Sequence, residues 1–167
     1  MFLKGFLKGK KGQLLGFAAC FGLVGLALVI QTQYHLEPCP LCITQRICFM
    51  ALGTLFLIGA FLRPAAPLSA LFSLAQVITS LVGAGWAIRH WWIQAHKADM
   101  VVDCGVGLDY MFENFPLKKA FTLLFRGTGD CATIDWTFLG LTLPQLALIS
   151  FVALGTYAIY LYKINKL

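Results

Sequence analysis

Two pairs of cysteines have the type and spacing for thiol–disulfide chemistry. The first is Cys39-Pro40-Leu41-Cys42, just ahead of an apolar stretch, with Arg46 four residues beyond Cys42. The second is Cys104 and Cys131, both in the only long polar segment. A CxxC at the mouth of an apolar stretch, facing a second pair on a loop, suggests electron traffic between thiols and an acceptor dissolved in lipid. Cys42 falls at or just before the start of a predicted helix, where unsatisfied amides favour a thiolate. Arg46 then lies one turn further on, on the same face. A guanidinium at the edge of hydrocarbon is costly and usually functional. It could lower the pKa of Cys42 or donate to a carbonyl oxygen of a lipid-soluble acceptor. The plainer reading is an arginine reaching lipid phosphate.

A CxxC can also hold zinc or copper, which would want further ligands such as His35 or the outer pair. Pro40 inside the motif and its apolar surroundings favour redox chemistry, and no resident metal is expected. For Cys104 and Cys131 two readings stand. A static staple would contribute roughly 3–4 kcal/mol through loop entropy. A shuttle disulfide would accept electrons from a soluble thiol protein and pass them to the first pair. His90 and Gln94 share a helical face through their i, i+4 spacing and could line a quinone pocket.

The elements that must position these residues are membrane spans. The chain has 167 residues, 59% hydrophobic and 12% charged, with mean hydropathy +0.79. A span needs roughly 20 mostly apolar residues. Four segments qualify, Leu14–Gln31, Ile43–Leu62, Leu68–Ile88 and Pro144–Tyr162. The first is long for a cleavable signal and has no clear small-residue cleavage site. Lys4, Lys8, Lys10, Lys11, Arg63, Lys163 and Lys166 fall on one side, and all seven acids on the other. The positive-inside rule puts both termini in the cytoplasm and both cysteine pairs outside, where disulfides persist. The net charge of +6 is thus a topology signal. Nucleic-acid binding is excluded, because the basic residues flank spans and form no patch. Cys20 and Cys48, inside spans, read as small buried hydrophobes.

The expected architecture is an all-α, four-transmembrane-helix bundle, a single domain over 1–167, with loops at about 32–42 and 95–143. Pro64 and Pro67 should interrupt the helix between the second and third spans. In the long loop, Pro116 opens and Gly127 closes a candidate helix. Leu117, Ala120, Phe121 and Leu124 form one apolar face, which fits a short interfacial helix; packing on its own loop is the alternative. Tyr34, Trp91, Trp92 and Trp136 read as interfacial anchors.

At these residues the chain resembles the DsbB family, quinone-linked inner-membrane thiol oxidases of bacteria. The matching stretches are Glu37-Pro38-Cys39-Pro40-Leu41-Cys42-Ile43-Thr44-Gln45-Arg46, Arg89-His90-Trp91-Trp92-Ile93-Gln94, Cys104-Gly105 with Asp109-Tyr110-Met111, and Gly129-Asp130-Cys131-Ala132 with Asp135-Trp136-Thr137-Phe138-Leu139-Gly140-Leu141. The ordered set covers nearly the whole chain. The resemblance implies that Cys39 and Cys42 form the quinone-facing disulfide, with Cys42 nearest the ring. It implies that Arg46, His90 and Gln94 bind the quinone, ubiquinone or menaquinone. It implies that Cys104 exchanges with a DsbA-like periplasmic thioredoxin-fold partner, with Cys131 resolving. Gln45 departs from members that carry an acid before the arginine, which leaves Arg46 without an adjacent counter-ion. Two other readings are a reductase of the vitamin K epoxide reductase type, whose CxxC falls late in the chain, and a non-enzymatic membrane subunit with a stapled loop.

Overall fold

A computed structural model describes residues 9–36, 38–62, 66–96, 129–134 and 136–166. Four long helices dominate it, α1 (Lys10–Gln33), α2 (Pro40–Leu62), α3 (Ala66–Ala95) and α4 (Leu143–Lys166). All four are long and apolar enough to cross a membrane, so the chain is a multi-pass membrane protein. Each helix begins before its expected span, and all but α2 also end beyond it. The candidate helix at Pro116–Gly127 and Cys104 both lie outside the described residues.

The helix ends follow from local chemistry. α1 stops in a Schellman motif: the Leu36 amide bonds the Gln31 carbonyl at 3.0 Å, and His35 takes the left-handed conformation with φ 50°. That places His35 in a reversing turn and sends the chain back toward α2. Pro67 falls in the first turn of α3, where its missing amide is harmless, and Pro64 lies outside the described residues. Ahead of α4, Thr142 and Gln145 make half of a capping box, the Gln145 side chain accepting from the Thr142 amide at 2.9 Å.

One element was not expected from an all-α reading. Two short strands, β1 (Thr137–Phe138) and β2 (Leu141–Thr142), pair antiparallel just before α4. Leu139 and Gly140 join them, both at positive φ (52° and 81°), as a two-residue hairpin turn requires. Leu139 is almost fully exposed. Its side chain therefore packs nothing, and the turn depends on Gly140.

α1 packs on α2, α2 on α3 and α3 on α4, while α1 and α4 meet only lightly. Val29, Leu74, Leu81 and Ile149 are more than half exposed, as lipid-facing residues of spanning helices must be. The bundle interior is closed by Cys20, Leu52, Phe56, Phe151 and Leu161, all fully buried. Phe49 stacks on Phe151 with centroids 3.9 Å apart. α3 and α4 approach closely at small residues, the usual device where lipid offers no hydrophobic drive. The Ser80 hydroxyl donates to the Phe151 carbonyl, and a Cβ at Gly83 would strike the Phe151 ring.

Polar groups within the bundle are paired across helices. Gln76, 1% exposed, donates to Gln13 at 3.0 Å. The Tyr157 hydroxyl donates to the Gly12 carbonyl at 2.9 Å, and the Gly9 amide to Asn165 at 2.8 Å. These contacts tie the start of α1 to the end of α4, so both ends of the described chain lie at one end of the bundle. Replacing Gly83 by alanine should cost about 1–3 kcal/mol by overpacking and lower the Tm in detergent. Gly85→Ala, whose Cβ would meet nothing within 4 Å, should leave the midpoint nearly unchanged and serves as the control.

Candidate functional site

The site begins with the way α2 starts. Pro40 is its first residue, a position that suits its fixed φ and absent amide. Cys39 is therefore the N-cap. Its carbonyl accepts from the Ile43 amide at 3.3 Å, and its sulfur accepts from the Cys42 amide at 3.4 Å. A cysteine does here what serine or aspartate usually does. The Thr44 hydroxyl donates to the Pro40 carbonyl at 3.1 Å and stiffens the same turn. One turn of helix thus holds the Cys39 and Cys42 sulfurs 3.3 Å apart.

The chain distant in sequence comes to the same point. A 3-10 turn, Gly129–Ala132, packs against α3. It buries Cys131 completely in one cluster with Cys39, Leu41 and Ile93. The Cys131 thiol is in hydrogen-bond contact with Cys39. That contact, the Cys42 thiol and burial together push the Cys39 thiol up from its ordinary range. A reduced Cys39 is accordingly a protonated, weak nucleophile.

His90 supplies the third wall. It is 2% exposed, and its Nε2 lies 3.7 Å from the Cys39 sulfur. Its Nδ1 meets the Gln45 Nε2 at 3.2 Å. With the Gln45 amide donating to Nδ1, the ring proton sits on Nε2 and points at sulfur. Arg46 donates from Nη1 to the Gln31 Oε1 at 2.7 Å, within electrostatic reach of Cys42. Gln94 donates to the Thr133 carbonyl at 3.2 Å, while its own buried Oε1 has no hydrogen-bond partner among the described residues.

These groups line a cleft that is open to its surroundings. Cys42, Arg46, His90 and Gln94 face it together with apolar Ala27, Ile30, Leu143 and Pro144. Of the residues singled out from sequence, Cys39, Cys42, Cys131, Arg46, His90 and Gln94 converge here; Cys104 lies outside the described residues. Two members escaped the sequence reading. Gln45 had stood only as a missing acid, and it is 5% exposed and bonded to His90. Gln31 answers Arg46 in place of a carboxylate. The available signal was a glutamine inside an apolar span, where a polar side chain needs a partner. His35, weighed as a metal ligand, belongs to the α1 turn, and the histidine beside the CxxC is His90. Trp136, expected as an anchor, borders the cleft, with its ring centroid 6.3 Å from that of Tyr34.

Comparison with known proteins agrees with this geometry. Residues 10–161 match the family described as disulfide bond formation protein DsbB. A disulfide bond formation protein B of Methylobacillus flagellatus is 56% identical over 153 residues, 92% of each chain. One from Xanthomonas axonopodis pv. citri is 44% identical over 92% of this chain and 90% of its own. One from Nitrosococcus oceani is 40% identical over 87% and 86%. With a CxxC at a helix mouth, a third cysteine held against it and matches running almost end to end, the chain belongs to the DsbB family of membrane disulfide-forming oxidoreductases.

Proposed function

We propose that this protein reoxidises a DsbA-like periplasmic thioredoxin-fold dithiol and delivers the electrons to a membrane quinone. The observation that carries the reading is the contact of Cys131, from the loop, with Cys39 of the CxxC beside an open cleft. A stapled loop has no need of that contact. Thiol exchange does, because a sulfur must reach the sulfur it attacks.

The electron balance closes through the four cysteines. The partner dithiol attacks the Cys104–Cys131 disulfide at Cys104, leaves as a disulfide, and reduces this pair by two electrons. The Cys131 thiolate then attacks Cys39 of the Cys39–Cys42 disulfide, and Cys42 leaves as the thiolate. Cys104 attacks Cys131, which reforms the loop disulfide and frees Cys39. The net result is one disulfide made in the partner and one dithiol at Cys39 and Cys42. Cys42 suits the leaving role, since it sits in the first turn of α2 and near Arg46, both of which favour negative charge. Cys39 suits the other, since its reduced thiol stays protonated.

The cleft fits a quinone, ubiquinone or menaquinone. Its apolar side matches the ring and tail, the Arg46 guanidinium can donate to a ring oxygen, and the unpartnered Gln94 Oε1 can accept from a ring hydroxyl. A bound quinone supplies a two-electron, two-proton acceptor beside Cys42. His90 is placed to hold or pass a thiol proton, with Gln45 keeping its ring oriented.

We further propose a single domain in the bacterial inner membrane, with both termini cytoplasmic and the cysteines periplasmic. The basic residues at 4–11, 63 and 163–166 support it under the positive-inside rule. So does the pairing of Gly9 with Asn165 at the end of the bundle away from the cysteines.

Arg46→Met should insert normally and raise the apparent KM for quinone about 10- to 100-fold, the loss of one charge-assisted hydrogen bond of about 1.5–3 kcal/mol. Steady-state kinetics with varied quinone checks it, and an unchanged KM would remove Arg46 from the site. Cys131→Ser should accumulate a mixed disulfide between Cys104 and the partner, visible on a non-reducing gel. Trapping through Cys39 instead would reverse the order of attack. In the Cys42→Ser, Cys104→Ser double variant, mild oxidation should join Cys39 to Cys131. Peptide mass spectrometry reads this directly, and failure to form that link would contradict the contact.

A further inference from the structure

We propose that the reduced protein binds one thiophilic d10 divalent metal ion on Cys39, Cys42 and His90, with solvent completing its coordination, and that this ion blocks reoxidation of the same thiols. The inference rests on the thiol chemistry proposed above, because only a turnover that reduces these sulfurs exposes them as ligands. It assigns the ion as an inhibitor and gives it no part in the reaction.

The distances carry the first part of the argument. Tetrahedral zinc has metal–sulfur bonds of about 2.3 Å and metal–nitrogen bonds of about 2.0–2.1 Å, so its donors stand roughly 3.4–3.8 Å apart. The Cys39 and Cys42 sulfurs are 3.3 Å apart, and the His90 Nε2 is 3.7 Å from Cys39. All three donors lie within 4.8 Å of one another. Three protein donors leave a fourth tetrahedral position for water, an open coordination that zinc accepts. Cys42 is only partly buried and faces the cleft, which provides an entry path.

Charge and outer contacts fit as well. The Cys39 and Cys42 thiolates neutralise a divalent ion, so no uncompensated charge is buried. A metal-bound imidazole needs its other nitrogen protonated and held by an acceptor. Gln45 sits at that nitrogen, 3.2 Å away, and turning its amide over presents Oε1 with almost no change of shape. On binding, the metal displaces the thiol protons to solvent and no sulfur changes oxidation state. In the oxidised protein the sulfurs are held in disulfides, so the site exists only in the reduced form. A bound ion ties up the Cys42 electron pair and the protein stalls.

The test is a Cd²⁺ titration of the full-length protein in detergent, reduced with a phosphine and desalted, beside an oxidised sample. The sulfur-to-cadmium absorption in the ultraviolet reports binding. We expect one Cd²⁺ per reduced chain and none per oxidised chain, with affinity at least tenfold weaker in His90→Ala and in Cys39→Ser. Cd²⁺ should also stop oxidation of the reduced chain by a soluble quinone, and a chelator should restore it. Absence of stoichiometric binding, or binding that survives both substitutions and is lost in Cys104→Ser, would overturn the site. Quinone reduction by metal-free protein and reduced partner is measured on the same preparation. Its failure would sink the proposed function, whereas normal turnover without Cd²⁺ binding would sink the metal site alone.

Discussion

A polar group inside a lipid-embedded bundle has no water to turn to, so it must find a partner within the protein; a hydroxyl can use its own helix, as Thr44 does, but a long amide or guanidinium reaches to another. That constraint organises this molecule from end to end. Far from the cysteines it pairs Gln76 with Gln13 and Tyr157 with the Gly12 carbonyl, which closes the bundle. Near the cysteines it pairs Gln45 with His90 and Arg46 with Gln31, which fixes the side chains around the CxxC. The same bonds that satisfy desolvated groups therefore also aim the chemistry. Gln94 shows the other side of the rule. Its amide nitrogen is bonded to Thr133 and its oxygen is not, an unmet demand beside an open cleft.

The CxxC draws its geometry from an ordinary helix start. Pro40 begins α2, Cys39 caps it through sulfur, and Cys42 falls in the first turn. The two sulfurs differ because of this placement. Both line the cleft, but Cys39 is buried under Cys131 and Leu41, whereas Cys42 is only partly buried and has the arginine within electrostatic reach. The close fit of donors has a second consequence, since soft sulfur and imidazole ligands gathered at bonding distance attract soft metals as readily as they exchange disulfides.

Much of this protein was determined by its sequence alone. Runs of apolar residues near twenty long have one solution in a bilayer, so four spanning helices were legible. Cys39, Cys42 and Arg46 could be read together because they lie within two turns of one helix, where spacing defines a face. His90 and Gln94 could be paired with each other for the same reason. What periodicity cannot reach is contact between elements. That Cys131 meets Cys39, that His90 turns Nε2 to that sulfur, that Gln45 bonds His90 and that Gln31 answers Arg46 were decided only by how α1, α2, α3 and the 3-10 turn pack. The hairpin at Thr137–Thr142 escaped as well, because strands of two residues are too short to show an alternation. Local rules specify each helix; the choice of which polar side chain answers which is made only when the bundle closes and every buried donor must be met.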